Sequence, residues 1–280
     1  MKRTCTYLAL AAALMVPAAA GAQDSSAAPG GGQKPFIEAR GSVRSVRLPP
    51  GGPTPRLSDG KPDLSGVWFP GPTGTANNWS VDAEPGPKED PIPWQPWAAE
   101  KHNGMSRVEV ELSSANVNCR PVGTPGMFSD NQYAHLISMK PGQFIHLIER
   151  NRRWNVLRIG RPHKPKEEQE PLYHGDQAAR WEGDTLVIDS ISIDERAHIR
   201  DGWFHSDQLH VIERLRRPSK NFLEYQFTIE DPKVLTRPWT SAWATFSLSA
   251  NDEDLLESYC TNNENVGQLE KLTEIEKTKK

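Results

Sequence analysis

Cysteine is scarce: three residues in a chain of 280. No two stand in CxxC spacing, HExxH is missing, and His198, His205 and His210 are too loosely spaced for a compact ligand triad. A zinc or copper site is therefore not expected. A GxSxG elbow, a glycine-rich phosphate loop and a dinucleotide fingerprint are missing too, so the reaction classes that use them lose their usual signatures; no cofactor is expected. Nor is there a basic excess. With 33 Lys and Arg against 36 Asp and Glu, the net charge of -3 argues against a nucleic-acid partner, whose phosphates need a basic face. Past the N-terminus no run is apolar enough to span a bilayer, so no transmembrane anchor is expected. A mean hydropathy of -0.65 and 24 prolines imply long loops around one modest core.

The N-terminus has what the rest lacks. Lys2 and Arg3 precede an apolar run from Tyr7 to Ala20, and Ala20-Gly21-Ala22 supplies a small-x-small cleavage pattern. This order reads as a cleavable signal peptide over 1–22, cut before Gln23. The run is shorter than the ~20 residues of a spanning helix, carries Pro17, and has Cys5 ahead of it instead of at the cut, which excludes a lipoprotein anchor. The expected location is periplasmic or secreted. Losing Lys2 and Arg3 takes the net charge from -3 to -5. Of the two cysteines left, Cys119 and Cys260, an oxidising compartment favours a disulfide; two separate buried thiols are the alternative.

Residues 23–60 are rich in Gly, Pro, Ser and Ala and read as a flexible tether, since they bury too little to offset ordering entropy. Residues 61–280 read as one β-rich domain. Period-two alternation runs through 143–149, 154–159, 185–193, 208–217 and 222–230, with a tight-turn signal at Glu182-Gly183-Asp184 and a last strand over 239–248. In 222–230, Leu223, Tyr225, Phe227 and Ile229 take one face and Glu224, Gln226 and Thr228 the other, as a half-buried antiparallel strand requires. Such a meander closes into a barrel or folds into a sandwich. A short C-terminal helix is expected around Val266, Leu269, Leu272 and Ile275.

The candidate chemistry lies where polar residues fall on apolar faces. If the chain is extended from His205, then His205, Asp207, Leu209, Val211, Glu213 and Leu215 share the inward face. His205 with Asp207 would make an oriented imidazole able to trade protons near neutrality, with Glu213 deeper inside. Alternatively these residues tie a loop entry and Glu213 pairs with a buried arginine. Glu149 ends the face of Ile145 and Leu147, with Arg180 or Arg158 as partner. Tyr173 and His174, in a proline-flanked loop, could close over an opening.

Asp59-Gly60-Lys61-Pro62-Asp63-Leu64-Ser65-Gly66-Val67-Trp68, Cys119-Arg120-Pro121, Arg180 through Asp189, Gly202 through Arg214, Glu230-Asp231-Pro232, Arg237-Pro238-Trp239-Thr240 and Tyr259-Cys260 together resemble a group of uncharacterised exported bacterial β-rich proteins. Gly66-Val67-Trp68 is similar to the first-strand signature of lipocalin-type barrels. The resemblance implies export and a compact β domain and brings no catalytic residues. Ile159-Gly160-Arg161 departs from the group's Asp-Gly-Arg.

Two functions follow as expectations. One is binding of a small, partly apolar or aromatic ligand in a pocket lined by Tyr173, His174, Trp181, Trp203, Tyr225 and Arg180. The other is cofactor-free acid/base catalysis (a lyase, isomerase or hydrolase) by His205 and Asp207 with Glu149 or Glu213.

Overall fold

A computed structural model describes residues 50–70, 90–115, 118–129, 133–150, 153–197, 199–200, 202–249 and 254–256. The expected signal peptide, the C-terminal helix and Cys260 lie outside these residues, as does the tether up to 49. Residues 50–60 do not behave as tether. Asn221 N donates to Pro50 O, Lys220 N donates to Gly52 O, and Arg56 pairs with Asp184 at 2.7 Å. Backbone hydrogen bonds and one ion pair fix this stretch, which a reading of apolar content could not register.

The chain is mainly β. Ten strands form one sheet: β1 (Gly66–Pro70), β2 (His135–Lys140), β3 (Gln143–Ile148), β4 (Arg153–Arg158), β5 (Asp176–Glu182), β6 (Thr185–Ile191), β7 (His210–Ser219), β8 (Phe222–Glu230), β9 (Trp239–Thr240) and β10 (Ala244–Leu248). Nine of them follow one path, β4-β3-β2-β1-β10-β8-β7-β6-β5, and β9 lies beside β8. β9 and β10 act as one strand broken at Ser241, whose Oγ accepts from Phe227 N while its own N donates to Phe227 O. Every strand pair on the path is antiparallel, and first meets last where β1 pairs β10. Nine alternating strands leave the two ends, β4 and β5, running the same way. The bridge between them, Ile159 to Ala179, is accordingly parallel. The sheet is thus a barrel nearly closed along one parallel seam.

The interior is filled. Alternation sends Val211, Glu213 and Leu215 of β7 and Leu223, Tyr225, Phe227 and Ile229 of β8 inward, all buried. On β3 the inward set is Phe144, His146 and Ile148, opposite in phase to the face expected from Ile145 and Leu147. The short helix α3 (Gly126–Ser129) inserts Phe128 between His146 and Tyr225, at ring-centroid distances of 4.0 and 4.5 Å. At one end Arg217 donates to the carbonyls of Asp63 and Ser65 and covers Trp68 at 4.8 Å. Helix α1 (Pro96–Gly104) starts on a proline, which suits a position that lacks an intrahelical N–H partner, and a second helix, α2 (Arg107–Ser113), follows it. Trp203 packs edge-on against Trp94 and Trp239 beside α1. Among the described residues no helix is long and apolar enough to cross a membrane.

Phe128 fills the barrel from outside the sheet, so its truncation leaves a cavity that the strands cannot close. Phe128→Ala should cost on the order of 3–4 kcal/mol, read as a lower urea midpoint with an unchanged m-value. A loss below about 1 kcal/mol would mean the interior repacks freely.

Candidate functional site

The site is the seam itself. β4 and β5 meet at Ile159 and Ala179 and diverge beyond, where the side-chain amides of Asn155 and Gln177 span the gap at 3.0 Å. A cavity of about 690 Å³ opens there, between the outer part of β4, the start of β5 and the loops 119–123 and 172–175. That is the size of a small-molecule site.

Two glycines let these loops approach. Gly123 has φ +76°, and a Cβ there would sit 2.0 Å from Tyr173 O; Gly175 has φ +69°, and its Cβ would sit 2.2 Å from Ile191 O. Both are left-handed positions where side chains are strained. The result is that Thr124, next to Gly123, and His174, next to Gly175, face each other: Thr124 Oγ1 lies 3.2 Å from His174 Nδ1. Thr124 Oγ1 also donates to Glu213 Oε2 at 3.3 Å and accepts from Gln177 Nε2 at 3.3 Å. Gln177 Nε2 further donates to Ser190 Oγ, and the Tyr225 hydroxyl donates to Glu213 Oε1 at 2.7 Å.

This chain links a carboxyl inside the barrel to an imidazole on the cavity wall. Burial raises the Glu213 pKa to about 7, against the opposing hydrogen bonds from Tyr225 and Thr124. Burial lowers His174 to about 4, so its imidazole is neutral at neutral pH. Tyr225 is pushed well above 10 by burial and by Glu213. The hydroxyl of Thr124 has one proton and can give it in either direction. With Glu213 ionised, Thr124 donates to it and His174 Nδ1–H donates to Thr124, leaving Nε2 an acceptor. With Glu213 protonated the chain reverses, Nδ1 accepts, and Nε2 carries the proton. The buried acid thereby sets the hydrogen-bond polarity of the cavity imidazole near pH 7.

Of the residues expected from the sequence, Glu213, Tyr225, Tyr173 and His174 come together here: the first two beneath the wall, the last two in it. Glu213 is inward and buried as expected, but its partners are a tyrosine and a threonine instead of an arginine. His205 and Asp207 do not form a pair. β7 begins only at His210, so the extended phase assumed from 205 does not hold. His205 is held between the carbonyls of Ser206 and Ala197 at 3.0 and 3.1 Å, and Asp207 is exposed on Lys233 at 2.6 Å. Asp231 caps this turn instead, accepting from Ser206 N and Oγ. Glu149 is buried beyond the end of β3, and its N donates to Ala134 O. Its expected partner Arg180 lies on the outer face with Glu182 and Asp189, and Arg158 is exposed on the cavity rim. Trp203 packs in the core and Trp181 at its margin; neither lines the cavity.

Residues the sequence reading passed over include Thr124, Gln177, Asn155 and Ser190, and a buried histidine pair, His135 Nδ1 to His146 Nε2 at 2.9 Å. Burial, then His135 and His174, holds His146 well below its usual range. Outside the barrel a ladder crosses four strands: Asp176, His163, Asp189, His210 and Glu230 follow one another at 2.8, 3.1, 2.9 and 3.1 Å. Asp189 and Glu230 raise His210, against burial. Among the described residues no group of three or more His, Cys, Asp or Glu could hold a metal ion. No known family, curated protein or solved structure matches this chain.

Because the folded Glu213 pKa lies above its unfolded value, the group's stabilisation is complete below about pH 4.5. It is lost as pH rises from there through about 7, the window in which the unfolded chain has released a proton that the folded chain still keeps. Glu213→Gln keeps an acceptor for Tyr225 and cannot ionise. Relative to wild type it should gain on the order of 3 kcal/mol between pH 4.5 and 8, measured as the pH dependence of the urea midpoint. Parallel curves for the two proteins would refute the buried-acid assignment.

Proposed function

We propose that this chain is an exported protein that binds a small, partly apolar or aromatic ligand in the seam cavity. The observation that supports it is the make-up of the lining there. Trp154, 66% exposed, and Leu172, 49% exposed, line it together with Met127 and Val122 and with the polar side chains of His174, Gln177 and Asn155. An apolar lining with a few fixed polar groups is the usual make-up of a small-molecule site, and large apolar side chains left open to solvent in it are what a ligand would cover.

Binding places a chromophore against Trp154. Small naphthalene-class compounds should quench wild-type tryptophan emission saturably and leave a Trp154→Phe variant unchanged. Equal quenching of both would sink the seam as the site.

A second reading rests on the Glu213–Thr124–His174 chain, which gives the cavity wall a group able to accept or donate a proton near neutrality. On this reading His174 exchanges the proton with substrate, and Glu213 acts through Thr124. The two readings part on the ligand's fate: a binder releases it with its mass unchanged, whereas an enzyme releases a rearranged, cleaved or hydrated product.

Export is supported by the residue order of 1–22, and with it the Cys119–Cys260 disulfide. Cys119 stands on the cavity rim, so the bond would be made at the mouth of the site. Protein recovered from an exporting host should begin at Gln23, and an unreduced digest should contain Cys119 and Cys260 in one linked peptide. Retention of residues 1–22 refutes the export proposal, and separate thiol peptides refute the disulfide.

A further inference from the structure

Among the described residues, cations outnumber carboxylates in the lining of the seam cavity. Arg120, Arg153, Arg158, Arg161 and Lys164 all line it, in a chain whose net charge is -3. Among the described residues, Asp176 is the one carboxylate in the lining, and it is already engaged: it accepts from His163 Nδ1 at 2.8 Å and from Lys164 N at 2.9 Å. The side chains of Arg120, Arg158, Arg161 and Lys164 hold no ion pair among the described residues. Elsewhere on the described surface Arg56, Arg196, Arg216 and Lys233 each close on a carboxylate within 2.7 Å. Cations left together repel one another, and concave low-dielectric walls strengthen their combined field. Such an arrangement is favourable once an anion enters, and guanidinium groups match the planar, two-oxygen geometry of a carboxylate.

We propose that the ligand of this cavity is an organic anion, a carboxylate on a flat aromatic or branched aliphatic body. The proposal rests on the seam being a binding site and names the chemistry of its occupant. The body lies on Trp154, Val156 and Leu172, and the charged end meets the arc of Arg158, Arg161 and Lys164. Gln177 and Asn155 donate and accept beneath it, where their amides already close the seam. His174 is neutral at neutral pH; while Glu213 is protonated its Nε2–H offers the anion a hydrogen bond without adding charge. A bound carboxylate would therefore favour the protonated state of Glu213, and its affinity should fall as pH rises through about 7.

The matched pair 1-naphthoate and 1-naphthalenemethanol tests this, since both share the ring and differ in charge. On the whole mature protein, at low salt and pH 6, the carboxylate should bind about tenfold more tightly than the alcohol, the scale of one or two partly screened charge contacts. The ratio should shrink as salt is raised and the Debye length shortens. The double variant Arg158→Gln/Arg161→Gln should weaken the carboxylate about tenfold and leave the alcohol unchanged. Both residues are exposed, so the variant is expected to fold, with circular dichroism and the urea midpoint as the check. Equal affinities for the two compounds, or a variant that binds both as wild type does, would overturn the anion assignment while leaving the cavity a binding site. Failure of both compounds to bind wild type would overturn the seam as a site, and with it this inference.

Discussion

An antiparallel sheet closes on itself smoothly only with an even number of strands, and among the described residues this one has nine on its path. Alternation then obliges β4 and β5 to run in the same direction. A parallel pair without a crossover has no hairpin to set its register, and here one backbone bridge at Ile159 and Ala179 is what forms. Two edges left open would expose unpaired N–H and C=O groups, the hazard that barrels normally avoid. At these edges the segments 119–123 and 172–175 line a cavity, and the side-chain amides of Asn155 and Gln177 join across the gap. The cavity is what remains between these segments and the edges. Its position follows from strand count, before any functional side chain is considered.

The filled interior has the complementary effect. A closed β-barrel of this size can hold a ligand along its axis, but Phe128, Tyr225, Phe144 and Phe246 occupy that space. Glu213 is the one carboxylate on the inward face of β7, and it is tolerated there because Tyr225 and Thr124 each supply a hydrogen bond. Those bonds do not fully compensate for burial, which leaves the carboxyl titrating near neutrality instead of near 4. Thr124 links this interior acid to the seam, and the near contacts of Gly123 and Gly175 keep it in reach of His174.

Much of the barrel was legible in the sequence because period-two alternation reports directly which face is buried. The inward placement of Glu213 and Tyr225 follows from it, and the turn at Gly183 separates two such runs. The failures share one cause: alternation fixes a face only when the phase is anchored to an apolar residue. β2 opens with His135 facing inward, so its signal is weak. On β3 the inward set includes His146, while Ile145 and Leu147 look outward, so the phase was taken one residue out. Upstream of β7 the chain is a turn pinned by Asp231, and carrying the strand's phase back to His205 produced a pair that does not exist. Thr124 and the cationic lining had no sequence signal at all. Thr124 sits in a proline-rich loop without periodicity, and the arginines come together only through the seam.

The same period of two separates the molecule's two polar systems. On β5, Asp176 joins the outer ladder and Gln177 the inner chain; on β6, Asp189 is outer and Ser190 inner. On β7, His210 is outer and Glu213 inner. Neighbouring residues therefore serve different networks, and a one-residue slip of any of these strands would exchange them. The outer ladder opposes such a slip, since each histidine spans carboxylates from different elements, Asp189 being shared by His163 and His210. The two systems meet at Asp176, whose carboxylate belongs to the ladder and lines the cavity. There His163 Nδ1 and Lys164 N both hold it, so the carboxylate is oriented by the ladder. The ladder therefore does more than stitch strands: it keeps the register that places Gln177 at the seam.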